Sequence, residues 1–328
     1  MTPTVVVVVP TWNGADRLVA CLDSISAQTL RPVLTVVVDN GSVDGSGDLA
    51  RKHPSRPEVL SLPVNTGFAG GVNAGIRRVL ALQTTTAGIE SVGAVALLND
   101  DAVADPGWLE HLVAELGRHP RTFAVAAKML RTDGTLDSTG ELVSCWGLPH
   151  PRGRGEQDLH QYDDQRDIPA ASGGASLFRL AGLQAVGLFD EDFFAYYEDV
   201  ELGLRARLRG WQVRYAPEAV VHHEVGAASG AVAGFRDLQA VRNSWLLVLR
   251  VFPRRLLLSV LPRLLLAHVL TCVGLTRRGH FGVVVRAHVQ LLRLMPRTVA
   301  ARRTRIGGVA QNALDSQISL PRPPRAPR

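Results

Sequence analysis

Residues 36–47 have the sequence VVVDNGSVDGSG, in which an apolar run is followed by turn-forming residues and a helix start near Ser46. This pattern predicts a buried strand that ends in a loop. Asp39 comes just past the strand, where its carboxylate can accept a hydrogen bond from a pyrimidine imino N–H. The glycine-rich turn can approach a phosphate or a ribose. A tight turn in which Asp39 caps nearby backbone explains the same residues equally well.

The alternation of apolar runs and amphipathic stretches continues through the first half of the chain. Strands are predicted at 5–9, 34–38, 59–62 and 95–98, and helices at 17–27, 71–80 and 106–116. Continuous valine-rich strands that alternate with helices indicate an α/β fold with a mostly parallel sheet covered on both faces. Ligands of such sheets bind at the carboxyl ends of the strands.

Two polar segments follow predicted strands at these ends: PTWNG at 10–14 and LLNDDA at 97–102. Adjacent carboxylates such as Asp100 and Asp101 are unfavourable at a sheet edge unless something positive lies beside them. A divalent cation shared with diphosphate oxygens is the natural partner. A helix N-cap cluster is the alternative, although it suits Asp105 better.

An acidic helix is predicted within YYEDVELGLRARLRGW, residues 196–211. Glu198 and Asp199 open this helix, where the dipole keeps a carboxylate ionised and fixed in direction, as a general base requires. Ordinary capping explains the pair by itself. Further along, His222 and His223 end an extended run, so only one of the two rings can face a given site. That histidine would contact a metal or a diphosphate, unless both belong to the surface.

Composition narrows the class of protein. The 328 residues include three cysteines without CxxC spacing, which argues against a zinc knuckle and suits a reducing compartment. The N-terminus has no basic region before its apolar run, so we expect a strand there, no signal peptide, and a cytoplasmic protein. A P-loop lysine and a GxGxxG after the first strand are both missing, which argues against a dinucleotide oxidoreductase.

The C-terminal part is basic. Residues 251–328 carry a net charge of +13 and residues 1–250 a net charge of −7. The apolar stretch 256–275 is interrupted by Pro262, Arg263 and His268, which favours a helix in the membrane interface over one that crosses the bilayer. A core helix is the alternative. We also expect a surface excursion at 149–168, a flexible lid at 226–234 and a disordered tail at 321–328.

Taken together, these motifs resemble family 2 of the glycosyltransferases, and in particular bacterial rhamnosyltransferase-like members that build cell-surface polysaccharides. The resemblance extends from Val5 to about Ser229. It implies a GT-A fold, which is a Rossmann-like, mostly parallel sheet with flanking helices. The expected organisation is a GT-A domain at 1–235, a helical, membrane-associating segment at 236–310 and a disordered basic tail at 311–328.

The resemblance also implies a role for each motif. Asp199 would be the catalytic base, and Asp101 and His223 would bind Mg²⁺ or Mn²⁺. Asn99 occupies the first position of the family's DxD motif. The nucleotide-sugar site would contain Thr11, Asn13, Asp39, Asn65, Gly67, Asn73 and Asp100. The sugar and acceptor pocket would contain Ser172, Gly173, Gly174 and Glu198.

The implied reaction is inverting transfer of a sugar from a nucleoside diphosphate to a hydroxyl of a glycan or lipid-linked acceptor. The donor candidates are deoxythymidine diphosphate-rhamnose first and a uridine diphosphate hexose next. The enzyme would bind the anionic surface of the cell membrane on the inner face of that membrane. Nucleic acid is not an expected partner, and the sequence is compatible with an oligomer. Two alternatives are a sugar-phosphate nucleotidyltransferase and a non-catalytic sugar-nucleotide-binding protein. The first would need a Gly-rich, Arg/Lys-bearing loop where this chain has PTWNGADR.

Overall fold

A computed structural model describes residues 3–86, 89, 91–224, 234–306 and 312–319. Residues 226–233 of the predicted lid and the whole 321–328 tail lie outside these ranges. Disorder is the expectation for all of 311–328, but residues 312–319 include a 3₁₀ turn and a short strand. That expectation is therefore wrong for 312–319, because the strand pairs with another at Val143 and Ser144.

Strands and helices alternate from Thr4 to Leu82, and helices follow one another from Phe235 to Ile306. The strands are β1 (Thr4–Thr11), β2 (Leu34–Asp39), β3 (Glu58–Ser61), β4 (Val92–Leu98), β5 (Ala102–Ala104), β6 (Thr122–Arg131), β7 (Leu136–Ser138), β8 (Glu141–Ser144), β9 (Pro149–Pro151), β10 (Ala175–Arg179), β11 (Gln212–His223) and β12 (Ile318–Ser319). The helices are α1 (Leu18–Ser26), α2 (Ser46–Lys52), α3 (Gly67–Leu82), α4 (Trp108–Arg118), α5 (Leu180–Val186), α6 (Glu198–Leu208), α7 (Phe235–Val251), α8 (Arg254–Arg277) and α9 (Phe281–Ile306).

The central sheet has the strand order β3-β2-β1-β4-β10-β6-β11-β5, with β7 paired to β6. Strands β1 to β4 pair in parallel, as do β6 and β11, while β10 runs antiparallel between β4 and β6. The predicted α/β class and the four predicted strands are confirmed. The sequence suggests two short strands at 212–215 and 219–222, but β11 is one strand with a register break between Ala216 and Val220.

The valines of β1 are buried on both faces of the sheet, which explains their continuous run. Val5, Val7 and Val9 pack with α1 and α4 on one face. Val6 and Val8 pack with α3 and α5 on the other. Burial on both faces leaves no polar position in the middle of such a strand. The carboxyl ends of β1, β2 and β4 therefore carry the first polar side chains.

The expected surface excursion at 149–168 is partly packed against the body. Arg152 is 5% exposed, and its guanidinium lies 5.0 Å from the ring centroids of both Tyr162 and Tyr215. A buried guanidinium between two rings is favoured by cation–π attraction and by its hydrogen bonds to backbone carbonyls. The sequence pattern did not predict this contact, because it is made by aromatic and charged side chains in a segment with few apolar residues.

Helix α7 binds the body through buried polar groups. Arg250 is 1% exposed and pairs with Asp190 and, at 2.7 Å, with Asp192. Arg305 of α9 also contacts Asp190 at 2.7 Å. The pKa of Asp190 is held below its usual range because these guanidiniums outweigh the effect of burial. The helical segment is thus fixed to the body, while the predicted boundary at 235 remains a prediction.

Helix α8 has one buried face and one exposed apolar face. Its buried positions run along its length: Leu256, Val260, Leu264, Ala267 and Leu275. Its exposed apolar positions are Leu258, Leu265, Leu266, Val269, Leu270 and Val273. Among the described residues, α8 is the one helix long and apolar enough to cross a membrane by length and composition. The helix therefore contributes to the core and also presents an apolar surface.

A hydrogen-bonded chain joins α7, α8 and α9. Trp245 can only donate, and its Nε1 lies 3.0 Å from His268 Nδ1, so His268 carries its hydrogen on Nε2. That nitrogen lies 3.0 Å from Nε2 of His288, whose Nδ1 donates to the Val284 carbonyl at 2.8 Å. Cys272 lies beside the pair. In this hydrogen-bonded arrangement the cluster packs the three helices together.

We predict that Arg250→Leu lowers the free energy of unfolding by about 3 kcal/mol, because it leaves buried carboxylates short of a partner. Arg297→Leu is the matched control. Arg297 also contacts Asp192, at 3.1 Å, but its side chain is 74% exposed, so its loss should cost less than about 1 kcal/mol. Urea titrations of both variants measure the difference. Equal destabilisation would show that burial of Arg250 adds nothing.

Candidate functional site

A cavity of about 740 Å³ lies at the carboxyl ends of the strands. It is lined by the loops after β1, β2 and β4, by the segment that contains β7 to β9, and by the starts of α6 and α7. Eleven of the predicted site residues line it: Thr11, Asn65, Gly67, Asp100, Asp101, Ser172, Gly173, Gly174, Glu198, Asp199 and His223. The crevice expected at this edge of the sheet is therefore present.

Three predicted site residues lie outside the lining and serve the backbone. Asn13 accepts a hydrogen bond from Val43 N at 2.9 Å, and Asp39 accepts one from Ser42 N at 3.0 Å. Asn73 is 1% exposed and binds the backbone of Phe189 through both its oxygen and its nitrogen. The donor contacts expected of Asn73 are thus replaced by a structural role, because its amide is fully used. Asn13 and Asp39 bind the backbone of the loop after β2.

Asp100 is held from behind by β1. Thr11 Oγ1 donates to Asp100 Oδ2 at 2.6 Å. Burial raises the pKa of Asp100 to about 6, against the lowering effect of the Thr11 bond. Gly14 gives this pair its space, because an added Cβ would lie 2.1 Å from Asp100 Oδ2. Asp100 is therefore a fixed part of the cavity lining, and its Oδ2 already accepts the hydrogen bond from Thr11.

The loop before α3 is built on asparagine side chains. Asn65 Oδ1 accepts from Gly67 N at 2.8 Å, and Asn40 Oδ1 accepts from Thr66 N at 2.9 Å. Gly67 has φ +77°, and a Cβ there would meet the Phe194 carbonyl at 2.3 Å. A glycine is required both for that backbone conformation and for that close approach. Asn65 and Gly67 line the cavity, and their role in binding a donor remains a prediction.

Asp101 and His223 meet at one end of the cavity. His223 Nε2 lies 3.1 Å from Asp101 Oδ1, yet that oxygen has no aligned hydrogen-bond donor within the described chain. Nδ1 of the ring lies 2.9 Å from Asp137 Oδ2. Burial lowers the pKa of His223, but the two carboxylates outweigh it and raise the pKa to about 9. His222 is turned away and half exposed.

This donor set fits a divalent cation. A buried carboxylate oxygen without an aligned donor and an imidazole nitrogen face the same space, and both are ligand types that Mn²⁺ and Zn²⁺ accept. Asp101 and His223 come from strand ends that β5 and β11 hold side by side, with His223 opposite Ala102. The pair is therefore positioned by backbone pairing, independently of any ligand.

Three further buried carboxyl groups line the cavity: Glu141, Glu198 and Asp199. Asp199 accepts hydrogen bonds from Gly173 N at 3.0 Å and Val200 N at 2.8 Å. Burial nevertheless raises its pKa, where the helix start alone predicts an ordinary value. Burial, followed by the charge of Asp199, raises the pKa of Glu141 to about 8. Glu198 Oε2 has no partner within the described chain.

The backbone before α6 is strained. Phe194, Tyr196 and Tyr197 have φ values of 64°, 69° and 74°, which side chains other than glycine rarely adopt. Asn243 of α7 donates to the carbonyls of residues 193, 195 and 196 at 2.8 to 3.0 Å. The hydrogen bonds from Asn243 therefore fix the turn that directs Glu198 and Asp199 toward the cavity.

The sequence motifs did not identify four residues that belong to the site or support it: Asp137, Glu141, Arg154 and Asn243. The first three come from a segment without apolar periodicity. The stretch RTDGT at 131–135 was the available signal, because an Asp-Gly turn between extended runs is typical of a hairpin that returns to the sheet. Asn243 sits within a helix and carries no local signal.

Comparison with known proteins decides the family. Residues 6–187 match the model described as "Glycosyl transferase family 2", which is more than half of the chain. The chain belongs to glycosyl transferase family 2. The protein is accordingly a glycosyltransferase, as the sequence motifs predicted. The described fold is the GT-A fold of this family, with a curled α/β sheet and flanking helices.

Relatives and solved structures agree with this assignment. The chain is 30% identical over 243 residues to an N-acetylglucosaminyl-diphospho-decaprenol L-rhamnosyltransferase of Mycobacterium tuberculosis, covering 70% of this chain and 79% of that protein. A mannosyltransferase from Pyrobaculum calidifontis with GDP-Man and Mn²⁺ matches at TM-score 0.55 and 18% identity, covering 97% and 88%. S. aureus TarS 1-349 with UDP matches at TM-score 0.51 and 16% identity, covering 79% and 71%.

We predict that Gly14→Ala lowers the melting temperature and transfer activity together, because the new methyl group displaces Asp100 from Thr11. Gly117→Ala is the control, since a Cβ at Gly117 meets nothing within 4 Å and Gly117 lies in a helix. That change should be neutral or stabilise by up to about 1 kcal/mol. Thermal unfolding and a transfer assay compare the two variants. A neutral Gly14→Ala would mean that the Thr11–Asp100 contact is dispensable.

Proposed function

We propose that the protein transfers a sugar, with inversion, from a nucleoside diphosphate to a hydroxyl of a lipid-linked acceptor. The observation that carries this proposal is the cavity itself, which is lined both by the Asp101–His223 pair and by Asp199. A pair that can hold a cation suits a leaving diphosphate, and a buried carboxylate suits deprotonation of an acceptor. One cavity thus offers both halves of a displacement.

The donor would lie along the wall formed by Thr11, Asn65 and Asp100, all of which line the cavity. A divalent cation, Mg²⁺ or Mn²⁺, held by Asp101 and His223, would neutralise charge on the departing diphosphate. Arg236 at the start of α7 also lines the cavity and would add a fixed positive charge there. The Mn²⁺ present with the mannosyltransferase neighbour supports this choice of ion.

Asp199 would accept the proton of the attacking hydroxyl. Its two oxygens receive hydrogen bonds from Gly173 N and Val200 N, which fix the direction of the carboxylate. Burial raises its pKa, so the ionised form is a stronger base than a solvated aspartate. Glu198 and Glu141 beside it would bind hydroxyls of the acceptor, since carboxyl groups accept hydrogen bonds from sugars.

The donor and the acceptor follow from the rhamnosyltransferase relative, whose name specifies rhamnose and a diphospho-decaprenol acceptor. We propose deoxythymidine diphosphate-rhamnose as the donor of this protein, with a uridine diphosphate sugar as the second candidate. The acceptor would be a sugar on a polyprenyl diphosphate. Its lipid part requires the enzyme to work at a membrane surface.

We predict that Asp199→Asn reduces transfer by about 10²–10⁴-fold, the contribution expected of a general base. Nucleotide binding should stay nearly intact, because Asp199 is bonded to Gly173 N and Val200 N and is not part of the Asp101–His223 pair. Radiolabelled sugar transfer and nucleotide-induced thermal shifts provide the two measurements. Asp48→Asn is the matched control, since Asp48 is also in a first helical turn but its side chain is 73% exposed.

The transfer assay also distinguishes a glycosyltransferase from the two alternatives, a nucleotidyltransferase and a non-catalytic binding protein. Wild-type turnover of the nucleotide sugar without a sugar 1-phosphate excludes the nucleotidyltransferase hypothesis. Nucleotide binding without any transfer, across the two donors, would support a binding protein with a degenerate site. Full activity of Asp199→Asn would remove this residue from the role of base.

We further propose that the α8–α9 hairpin lies on an anionic membrane. The apolar side chains that α9 exposes, Phe281, Val285, Val289, Leu292 and Val299, add to those of α8. Residues 251–306 contain 11 arginines and no acidic residue. An apolar surface surrounded by arginine is the composition of helices that lie in the interface of anionic bilayers.

The packing of α8 favours lying on the bilayer over crossing it. Its buried positions extend from Leu256 to Leu275, so a crossing would separate the whole helix from α7 and α9. The start of α9 also approaches the cavity, because a Cβ on Gly234 would lie 2.8 Å from Val283. Phe235 and Arg236, next in the chain, line the cavity. A bilayer under this hairpin would bring a lipid-linked acceptor to the cavity rim.

We predict that the double substitution Leu266→Glu and Leu270→Glu weakens binding to phosphatidylglycerol vesicles at least about tenfold, because burial of each leucine contributes about 1.5–3 kcal/mol. Substitution is a sharper test than truncation at Phe252, since removal of α8 and α9 would expose the core they share with α7. Vesicle co-sedimentation at two salt concentrations measures the effect.

The control for this experiment is Val43→Glu with Val64→Glu, which adds the same charge at exposed valines distant in sequence from the hairpin. This variant should bind vesicles like the wild type, apart from a small loss from net charge. Equal weakening by both double variants would indicate charge alone and contradict an apolar docking face.

A further inference from the structure

We infer that Asp137 is a positioning residue, which holds the His223 ring so that its Nε2 faces Asp101 and the proposed cation. The inference rests on the proposed function, because it gives a role to the cation end of the cavity. Asp137 is 4% exposed and lies on β7, outside the segments that carried the family motifs. Its side chain lines the same cavity as Asp101 and His223.

The two oxygens of Asp137 have separate partners. Oδ2 lies 2.9 Å from His223 Nδ1. Oδ1 accepts two hydrogen bonds from Arg154, from Nε at 3.0 Å and from Nη2 at 2.7 Å. A guanidinium that binds through two nitrogens fixes a carboxylate in its plane. Asp137 therefore cannot rotate without losing one of its two partners.

This arrangement determines which nitrogen of His223 can bind a metal. An ionised carboxylate only accepts, so Nδ1 of the ring must carry a hydrogen. The Nε2 atom, which lies 3.1 Å from Asp101 Oδ1, is then the nitrogen that would give up its proton to solvent and bind the cation. A carboxylate behind a histidine commonly fixes the tautomer and the ring orientation at metal sites. Asp137 stands in that position.

Strand pairing keeps the three side chains in place. His223 pairs with Ala102, the neighbour of Asp101, on one side of β11 and with Arg131 of β6 on the other. On β6, Met129 pairs with Ser138, the neighbour of Asp137. Asp101, in the turn that enters β5, and Asp137, on β7, therefore approach different nitrogens of the ring.

Asp137→Asn tests the inference because an amide has one acceptor and one donor end. It cannot accept from both Arg154 and His223, so the ring loses its fixed tautomer. We expect the affinity for Mn²⁺ to fall by about 10–100-fold. Free Mn²⁺ is measured by electron paramagnetic resonance during titration of the full chain, with and without UDP. Asp164→Asn, an exposed carboxylate, is the charge-matched control and should bind Mn²⁺ like the wild type.

A double-mutant cycle separates positioning from a general effect of charge or stability. In the His223→Ala background, Asp137→Asn should change Mn²⁺ affinity little, because the ring it acts through is gone. A loss of the same size in both backgrounds would overturn the inference. So would an unchanged affinity of the single variant.

Arg154→Gln provides the test if Asp137→Asn does not fold, since the Arg154 side chain is 37% exposed and its removal leaves the Asp137–His223 contact. A loss of Mn²⁺ affinity that disappears in the His223→Ala background supports the inference, and unchanged affinity overturns it. The cation proposal fails separately if the wild-type protein takes up no Mn²⁺ in either condition, and the inference fails with it.

Discussion

The contact between Asn243 and the backbone of residues 193–196 is the constraint on which the acidic end of the site depends. Phe194, Tyr196 and the following residue Tyr197 hold φ values that cost about 1–3 kcal/mol each, so the segment would relax if it were free. Asn243 and Arg242 satisfy its carbonyls from α7. Helix α7, which leads to the α8–α9 hairpin, thus also supports the turn before α6. Membrane attachment and catalysis would share one element.

The site concentrates negative charge in a buried place, which is unfavourable for folding unless ligands supply the positive charge. Asp100, Asp101, Asp137, Glu141, Glu198 and Asp199 all line one cavity. The protein limits this cost by raising the pKa of Glu141 to about 8, so that this group is mostly protonated near neutral pH, and by pairing Asp137 with Arg154. A cation and the hydroxyls of sugars would provide the remaining compensation. The arrangement therefore favours binding of the substrates it is proposed to convert.

Much of the fold and part of the site followed from local patterns. The valine runs identified four parallel strands, and the polar segments after them identified the edge where the cavity lies. The antiparallel strand β10 and the long strand β11 were harder, because their pairing depends on neighbours distant in the sequence. Asn13, Asp39 and Asn73 illustrate the limit for the site, since polar side chains near a loop serve backbone or ligand equally well in a sequence.

The sequence by itself determined the α/β class, the order of the motifs and the resemblance to a glycosyltransferase family, because each depends on residues close together in the chain. Only the tertiary structure decided which histidine faces Asp101, which carboxylates are buried together and how Asn243 holds the turn before α6. Those relations depend on strand register and helix packing. A one-residue shift of β11 would have placed His222 where His223 lies, since successive side chains of a strand point to opposite faces.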